Sequence, residues 1–147
     1  MTDSFESVAD TYATDKTFVG LGVHPSLCEA LATQGMTTAF PIQALTIHDA
    51  LAGRDVCGKA KTGSGKTLGF GLPMLQRIAA SGPSIRGGVP TPKGLVLLPT
   101  RELAVQVFDV LGPLAEGLSL RAVSVYGGAD IEKQIMQLRQ GADLVIA

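Results

Sequence analysis

The stretch Val56 to Thr67, VCGKAKTGSGKT, decides the fold. It reads as a short buried strand running into a phosphate-binding loop. Residues 60–67 fit the pattern G-x-x-x-x-G-K-[ST] at every position but the first, where Ala60 stands in place of glycine. Gly63 and Gly65 let the backbone take left-handed angles and bring its N–H groups close to phosphate oxygens, where a Cβ would obstruct. A helix opens near Gly65. Its start adds unpaired N–H donors and the positive end of the helix dipole, so anion binding follows from backbone geometry before any side chain acts. The candidate nucleotide-binding element is therefore Ala60, Lys61, Thr62, Gly63, Ser64, Gly65, Lys66 and Thr67. Lys66 would reach the terminal phosphates, and the Thr67 hydroxyl would hold Mg²⁺; these two are the candidate catalytic residues. The alternative is a glycine-rich turn with Lys66 only solvated. An apolar strand before the loop and a helix-compatible run after it, Leu68 to Ile78, favour the nucleotide site.

With 147 residues, 46% hydrophobic and 17% charged, the chain has the make-up of one globular domain or a large piece of one. Twelve basic against thirteen acidic residues give a formal charge of −1, so no global field draws in nucleic acid or an anionic membrane. Any polyanion must be held by local groups. Cys28 and Cys57 fit neither a disulfide framework nor a zinc spacing, and both read as small buried apolar residues. Their reduced state and the polar N-terminus, which carries no secretory signal, point to a cytoplasmic protein. No run of the sequence reaches transmembrane length.

Residues 1–15 are polar and patternless and read as a flexible arm. Pro25 in a first turn and Gly35 past the end frame a helix of about ten residues. Pro41 opens a second helix with Ile42, Leu45 and Ile47 to Leu51 on its buried side, and Gly53 ends it. Lone His24 and His48 read as structural. The helix after the loop extends to about Ala80, and residues 81–94 are glycine and proline punctuation, a surface excursion. Leu95 to Leu98 is an apolar strand. It leads through Pro99-Thr100 into a helix with the stripe Leu103, Val107, Leu111 and Leu114. Leu120 to Tyr126 is a third strand, followed by Gly127-Gly128. Asp130 caps a helix carrying Ile131, Ile135 and Leu138, and Ala142 to Ala147 begins a fourth strand.

Strand alternating with helix is the pattern of an open α/β sheet with parallel strands, because each return to the sheet needs a crossover. Right-handed crossovers would set the loops after the strands side by side at one edge. Residues 60–67, Pro99 to Glu102 and Gly127-Gly128 would then form one functional surface.

These motifs together resemble the N-terminal part of a DEAD-box ATP-dependent RNA helicase, from about residue 16 to the end. AKTGSGKT is similar to that family's phosphate loop, which usually begins with alanine. GMTTAFPIQ, residues 35–43, resembles its adenine-recognition segment, the Q motif, with Phe18 as the isolated upstream aromatic. PTRELA, residues 99–104, and Gly127-Gly128 resemble the motifs called Ia and GG. The resemblance implies an α/β, parallel-sheet, three-layer RecA-like P-loop NTPase domain, truncated after about the fourth strand. It divides into the arm at 1–15, a Q-motif segment at 16–44 and a partial helicase ATP-binding domain at 45–147. It implies ATP and Mg²⁺ as cofactors and RNA as partner, contacted through its backbone by Pro99, Thr100, Arg101, Gly127 and Gly128. Gln43 would pair with N6–H₂ and N7 of adenine, a fork that guanine cannot satisfy. Phe18 would stack on the base. Where the family commonly has proline and threonine, Ala39 and Phe40 stand here.

Phosphate-loop ATPases also need an acid after an apolar strand to position Mg²⁺ and the attacking water. Asp109, Glu116, Asp130, Glu132 and Asp143 lie inside helices or before strands. The expectation is a parent that hydrolyses ATP to unwind RNA, and a fragment inactive on its own. The alternatives are a P-loop ATPase of another class and a nucleotide-binding module without catalysis.

Overall fold

The computed structural model describes residues 14–147, so most of the expected N-terminal arm lies outside the described residues. The described chain is tied down at Thr14 and Lys16. Thr14 donates from its backbone nitrogen and its hydroxyl to Ala39 O, at 2.9 and 2.8 Å, and Ala39 N donates to Lys16 O at 2.8 Å. This short pairing seats the start of the described chain against the turn before Pro41.

The elements in order are α1 (Pro25–Ala32), α2 (Pro41–Leu51), α3 (Lys66–Ala80), a hairpin of β1 (Ile85–Arg86) and β2 (Val89–Pro90), β3 (Gly94–Val96), α4 (Arg101–Gly117), β4 (Ala122–Ser124), α5 (Ile131–Arg139) and β5 (Leu144–Ile146). Proline opens α1 and α2 where its missing N–H costs nothing. His24 caps α1, its Nδ1 accepting from Ser26 N at 3.2 Å. Asp130 caps α5 by accepting from the backbone of Glu132 and Lys133, as its position implied.

The sheet is parallel with order β3-β5-β4. Gly94, Leu144 and Ala122 stand abreast, as do Val96, Ile146 and Ser124, so these residues share one face. Helices α3 and α4 pack against it. The core beneath them joins Leu72, Leu75, Val107, Leu111, Leu144 and Ile146 to Phe18, Leu27 and Leu31 from the N-terminal segment. On the opposite face Val123 is buried while Leu95 is 57% exposed.

The structure changes four expectations. No strand forms at residues 54–60, and Val56 is 43% exposed. A strand needs a ladder partner for its N–H and C=O groups, and among the described residues β3, β4 and β5 pair only with one another. The parallel sheet thus has three strands where four were expected. Cys57, on that same segment, is exposed rather than buried. The excursion at 81–94 contains a hairpin whose turn, Gly87-Gly88, takes positive φ at both residues, 58° and 80°. That is the two-residue turn Gly-Gly favours. The apolar stripes also shift. Ala104, not Leu103, joins Val107, Leu111 and Leu114 in the core, and α5 has no buried residue, with Ile131 67% exposed.

Candidate functional site

The phosphate loop sits where α3 begins. The C-terminal half of α3 packs on the start of β3, with Ile78 and Met74 lying beside Gly94 and Lys93 Nζ donating to Ser81 Oγ at 3.0 Å. The N-terminus of α3 therefore points toward the other end of the sheet, where the parallel strands release their loops. Gly65 is the N-cap, at φ 84°, with no side chain capping the helix. The first-turn N–H groups are left for an anion. Gly63 is also left-handed, at φ 81°.

Side chains close the loop upon itself. The Lys66 ammonium donates to Ala60 O and, at 2.7 Å, to Lys61 O. Ser64 Oγ is buried and has no hydrogen-bond partner among the described residues. A hydroxyl so placed costs roughly 1–3 kcal/mol unless something supplies a partner. A phosphate oxygen within the loop would fit that need, and the donor set, the backbone N–H groups of the glycine turn and of the helix start plus Lys66, suits phosphate. For Mg²⁺ the chain offers the Thr67 hydroxyl. Among the described residues no three His, Cys, Asp or Glu side chains gather to hold a metal. The magnesium shell would come mainly from phosphates and water, which is how this ion usually binds.

Gln43 lies one turn into α2 and is only 2% exposed. Its Oε1 accepts from Phe40 N at 2.8 Å, and its Nε2 donates to Gly65 O at 3.0 Å. The residue expected to read adenine thus bridges the start of α2 to the cap of α3. A carboxamide has two lone pairs and two hydrogens, so one of each remains. Phe18 is placed differently from what a stacking platform needs: it is 2% exposed, within the core.

At the same edge of the sheet, the residues after β3 and β4 meet. Thr100 Oγ1 accepts from Leu103 N at 3.3 Å and caps α4. Arg101 Nη1 donates to Gly128 O at 3.4 Å, and its guanidinium lies 5.3 Å from the centroid of the Tyr126 ring. Gly128 is left-handed, at φ 76°. Pro99, Thr100, Arg101, Gly127 and Gly128 are all exposed. A hydroxyl, a guanidinium and bare backbone at helix starts are a grip for phosphates rather than bases. Sequence reasoning missed Tyr126 and Gln134, whose side chain accepts from Tyr126 N at 2.8 Å and donates to Tyr126 O at 3.1 Å. Nothing in local periodicity marks such a return contact.

A family model described as DEAD/DEAH box helicase matches residues 40–147. The chain belongs to the DEAD/DEAH box helicase family. Among relatives of this family, the ATP-dependent RNA helicase RhlB of Xanthomonas axonopodis pv. citri is 43% identical over 95% of this chain and 24% of its own length. RhlB of Vibrio campbellii is 38% identical over 92% of this chain and 31% of its own length. The crystal structure of the RNA-helicase Prp28 from Chaetomium thermophilum bound to ADP superposes with a TM-score of 0.78 at 34% identity, over 92% of this chain and 32% of that one. The helicase-family chain described here thus spans about a quarter to a third of these relatives. Its α/β fold with a parallel sheet is that of a RecA-like helicase domain, in truncated form. No helix among the described residues is long and apolar enough to cross a membrane.

Proposed function

We propose that this chain is the nucleotide- and RNA-gripping part of the first RecA-like domain of an ATP-dependent RNA helicase. ATP with Mg²⁺ would be held by Gln43 and residues 60–67. The RNA backbone would be held by Pro99, Thr100, Arg101, Gly127 and Gly128. The observation that carries this reading is the junction of Gln43 with Gly65. It places a carboxamide with one free donor and one free acceptor directly beside an uncapped, glycine-built helix start.

The chemistry follows from these atoms. Lys66 would trade the neutral carbonyls of Ala60 and Lys61 for phosphate oxygens, which add a full opposite charge to the hydrogen bond. Ser64 Oγ and the first N–H groups of α3 would close on the same phosphates. Gln43, itself only 2% exposed, would need the turn at Phe40 to shift before its spare lone pair could meet adenine N6–H₂ and its spare hydrogen N7. The burial of Phe18 favours an anchoring role beneath this segment over stacking on the base. Bound magnesium supplies positive charge against the phosphates, with Thr67 as the contributing side chain. The acids nearest the ends of β3 and β4 are Glu102, inside α4, and Asp130, whose carboxylate caps α5, so this chain by itself would bind nucleotide without turning it over. The alternative of a binding module without catalysis in the parent is distinguished by whether the intact protein hydrolyses ATP when RNA is added.

Calorimetric titration of the intact protein tests the reading. Lys66→Ala should weaken ATP binding by about 10- to 100-fold, from the loss of one or two charged hydrogen bonds. Gln43→Ala should narrow the preference for ATP over GTP. ATP affinity unchanged by Lys66→Ala would defeat the assignment, and RNA-stimulated phosphate release from the 147-residue chain alone would defeat its catalytic half.

A further inference from the structure

We propose that Gln134 is a positioning residue for RNA binding: through the backbone of Tyr126 it holds Arg101 and Gly128 in the arrangement that receives the RNA phosphates. The inference rests on the reading of that surface as an RNA grip. Gln134 itself touches no part of that grip.

The argument starts where the sheet stops. The last ladder bond along β4 is Val125 N to Ile146 O, at 2.8 Å. Tyr126 comes next, half-buried, with a backbone N–H and C=O that have no strand beside them. Leaving such groups unpaired costs about 1–3 kcal/mol each. The Gln134 carboxamide meets both, accepting from the N–H and donating to the C=O, at 2.8 and 3.1 Å. A side chain from α5 thus extends the strand by one residue.

That residue is the footing of the grip. The Tyr126 ring lies under the Arg101 guanidinium, 5.3 Å from its centroid, and Arg101 reaches across to Gly128 O at 3.4 Å. Arg101 is therefore oriented by two groups, one on each side of Gly127, and both belong to the segment that Gln134 fixes. The Tyr126 side chain also packs against the core, but beyond it the segment has little else to fix it. Residues 127–133 are all exposed, and α5 buries no side chain. Asp130 caps α5 locally and reaches only Glu132 and Lys133. Without Gln134 the link from α5 back to the end of β4 loses its two polar contacts, and Arg101 would sample orientations that no longer face a phosphate. RNA would then bind to a grip that must first be ordered.

The test uses the intact protein, a single-stranded RNA oligonucleotide, and binding measured from low to moderate salt. Arg101→Ala should remove about one phosphate contact and reduce the slope of log affinity against log salt by about 0.7. Gln134→Leu, although it removes no charge, should lower RNA affinity about 5- to 30-fold and reduce the slope by the same amount. The double variant should be no worse than the more affected single variant. ATP affinity should stay within about twofold. Gln134→Glu supplies a variant of the same shape: its ionised form keeps the acceptor for Tyr126 N but sets an oxygen against Tyr126 O. Its protonated form regains a donor, so its RNA affinity relative to wild type should recover as pH falls through the carboxyl range. A full salt slope in Gln134→Leu, or no pH-dependent recovery in Gln134→Glu, overturns the inference while the Arg101→Ala result leaves the RNA surface standing. If Arg101→Ala changes neither affinity nor slope, the RNA surface itself is wrong and the inference falls with it.

Discussion

Replacing Gly65 by alanine should damage the protein more than replacing Gly63, although both glycines are left-handed, at φ 84° and 81°. A non-glycine residue in that region costs roughly 1–2 kcal/mol. This is the whole cost at Gly63, where a methyl group would meet nothing within 4 Å. At Gly65 the methyl would collide with Gln43 Nε2 and stand 2.9 Å from Phe40 Cδ2. Gln43 is buried and holds Gly65 O and Phe40 N, so it can yield only by giving up those bonds. Each is worth about 0.5–1.5 kcal/mol, and a stranded buried amide adds to that. The expected loss is therefore about 1–2 kcal/mol for Gly63→Ala and about 2–4 kcal/mol for Gly65→Ala. Urea unfolding of the chain, followed by circular dichroism, measures both. Gln43→Ala provides the control. It removes the nearest colliding atom, so Gly65→Ala in that background should cost close to what Gly63→Ala costs, giving a coupling of about 1–2 kcal/mol in the double-mutant cycle. Equal losses at the two glycines, or additive behaviour with Gln43→Ala, would show that the segment around Gln43 and the loop at Gly65 are not in contact as described.

Two further outcomes are expected. Gly71→Ala would place a methyl against Leu111, colliding with Cδ2 and lying 3.1 Å from Cδ1, where α3 crosses α4; overpacking there should cost about 1–3 kcal/mol in the same unfolding assay, and Leu111→Ala should relieve rather than add to it. Of the two thiols, Cys57 is exposed whereas burial pushes Cys28 above the ordinary thiol value, so iodoacetamide should alkylate Cys57 first by mass spectrometry. Because the folded-state value of Cys28 is the higher one, its contribution to stability is complete at neutral pH and is lost as pH rises past the unfolded thiol value toward the folded one. Cys28→Ser should flatten that alkaline decline.

The readable parts of this fold were those whose cause lies within a few residues. Pro41 and Gly53 bound α2 because proline and glycine act on their own backbone, and Asp130 caps α5 because its carboxylate reaches only three residues ahead. That β3, β4 and β5 run parallel followed from crossover length alone, whereas their order in the sheet did not. Residues 56–60 misled for the converse reason. An apolar run states that a strand is compatible, but pairing is a property of a second segment, and none of β3, β4 and β5 lies beside it. The stripe of α5 failed in the same way, since periodicity identifies a face without identifying what covers it.

The candidate sites obey the same division, and it has a functional edge. Glycines at 63 and 65 and the hydroxyl of Thr100 act through local backbone, so the left-handed turn and the helix cap proposed to hold phosphates are legible from sequence. What ties those positions to the rest of the fold is a pair of glutamines acting at a distance. Gln43 grips Gly65 across 22 residues, and Gln134 grips Tyr126 across eight. Each carboxamide accepts from a backbone N–H that regular structure leaves over, Phe40 N or Tyr126 N, and donates to a carbonyl, Gly65 O, which also accepts from Gly69 N, or Tyr126 O. A neutral amide suits the task because it donates and accepts together without carrying a charge that would compete for phosphate. Glutamate would repel both the carbonyl and the nucleotide, and lysine would offer no acceptor. The two loops proposed to bind anions are therefore held by side chains that carry no charge of their own. Changes at these glutamines should alter geometry and selectivity, whereas changes at Lys66 and Arg101 should alter the charge on the site directly.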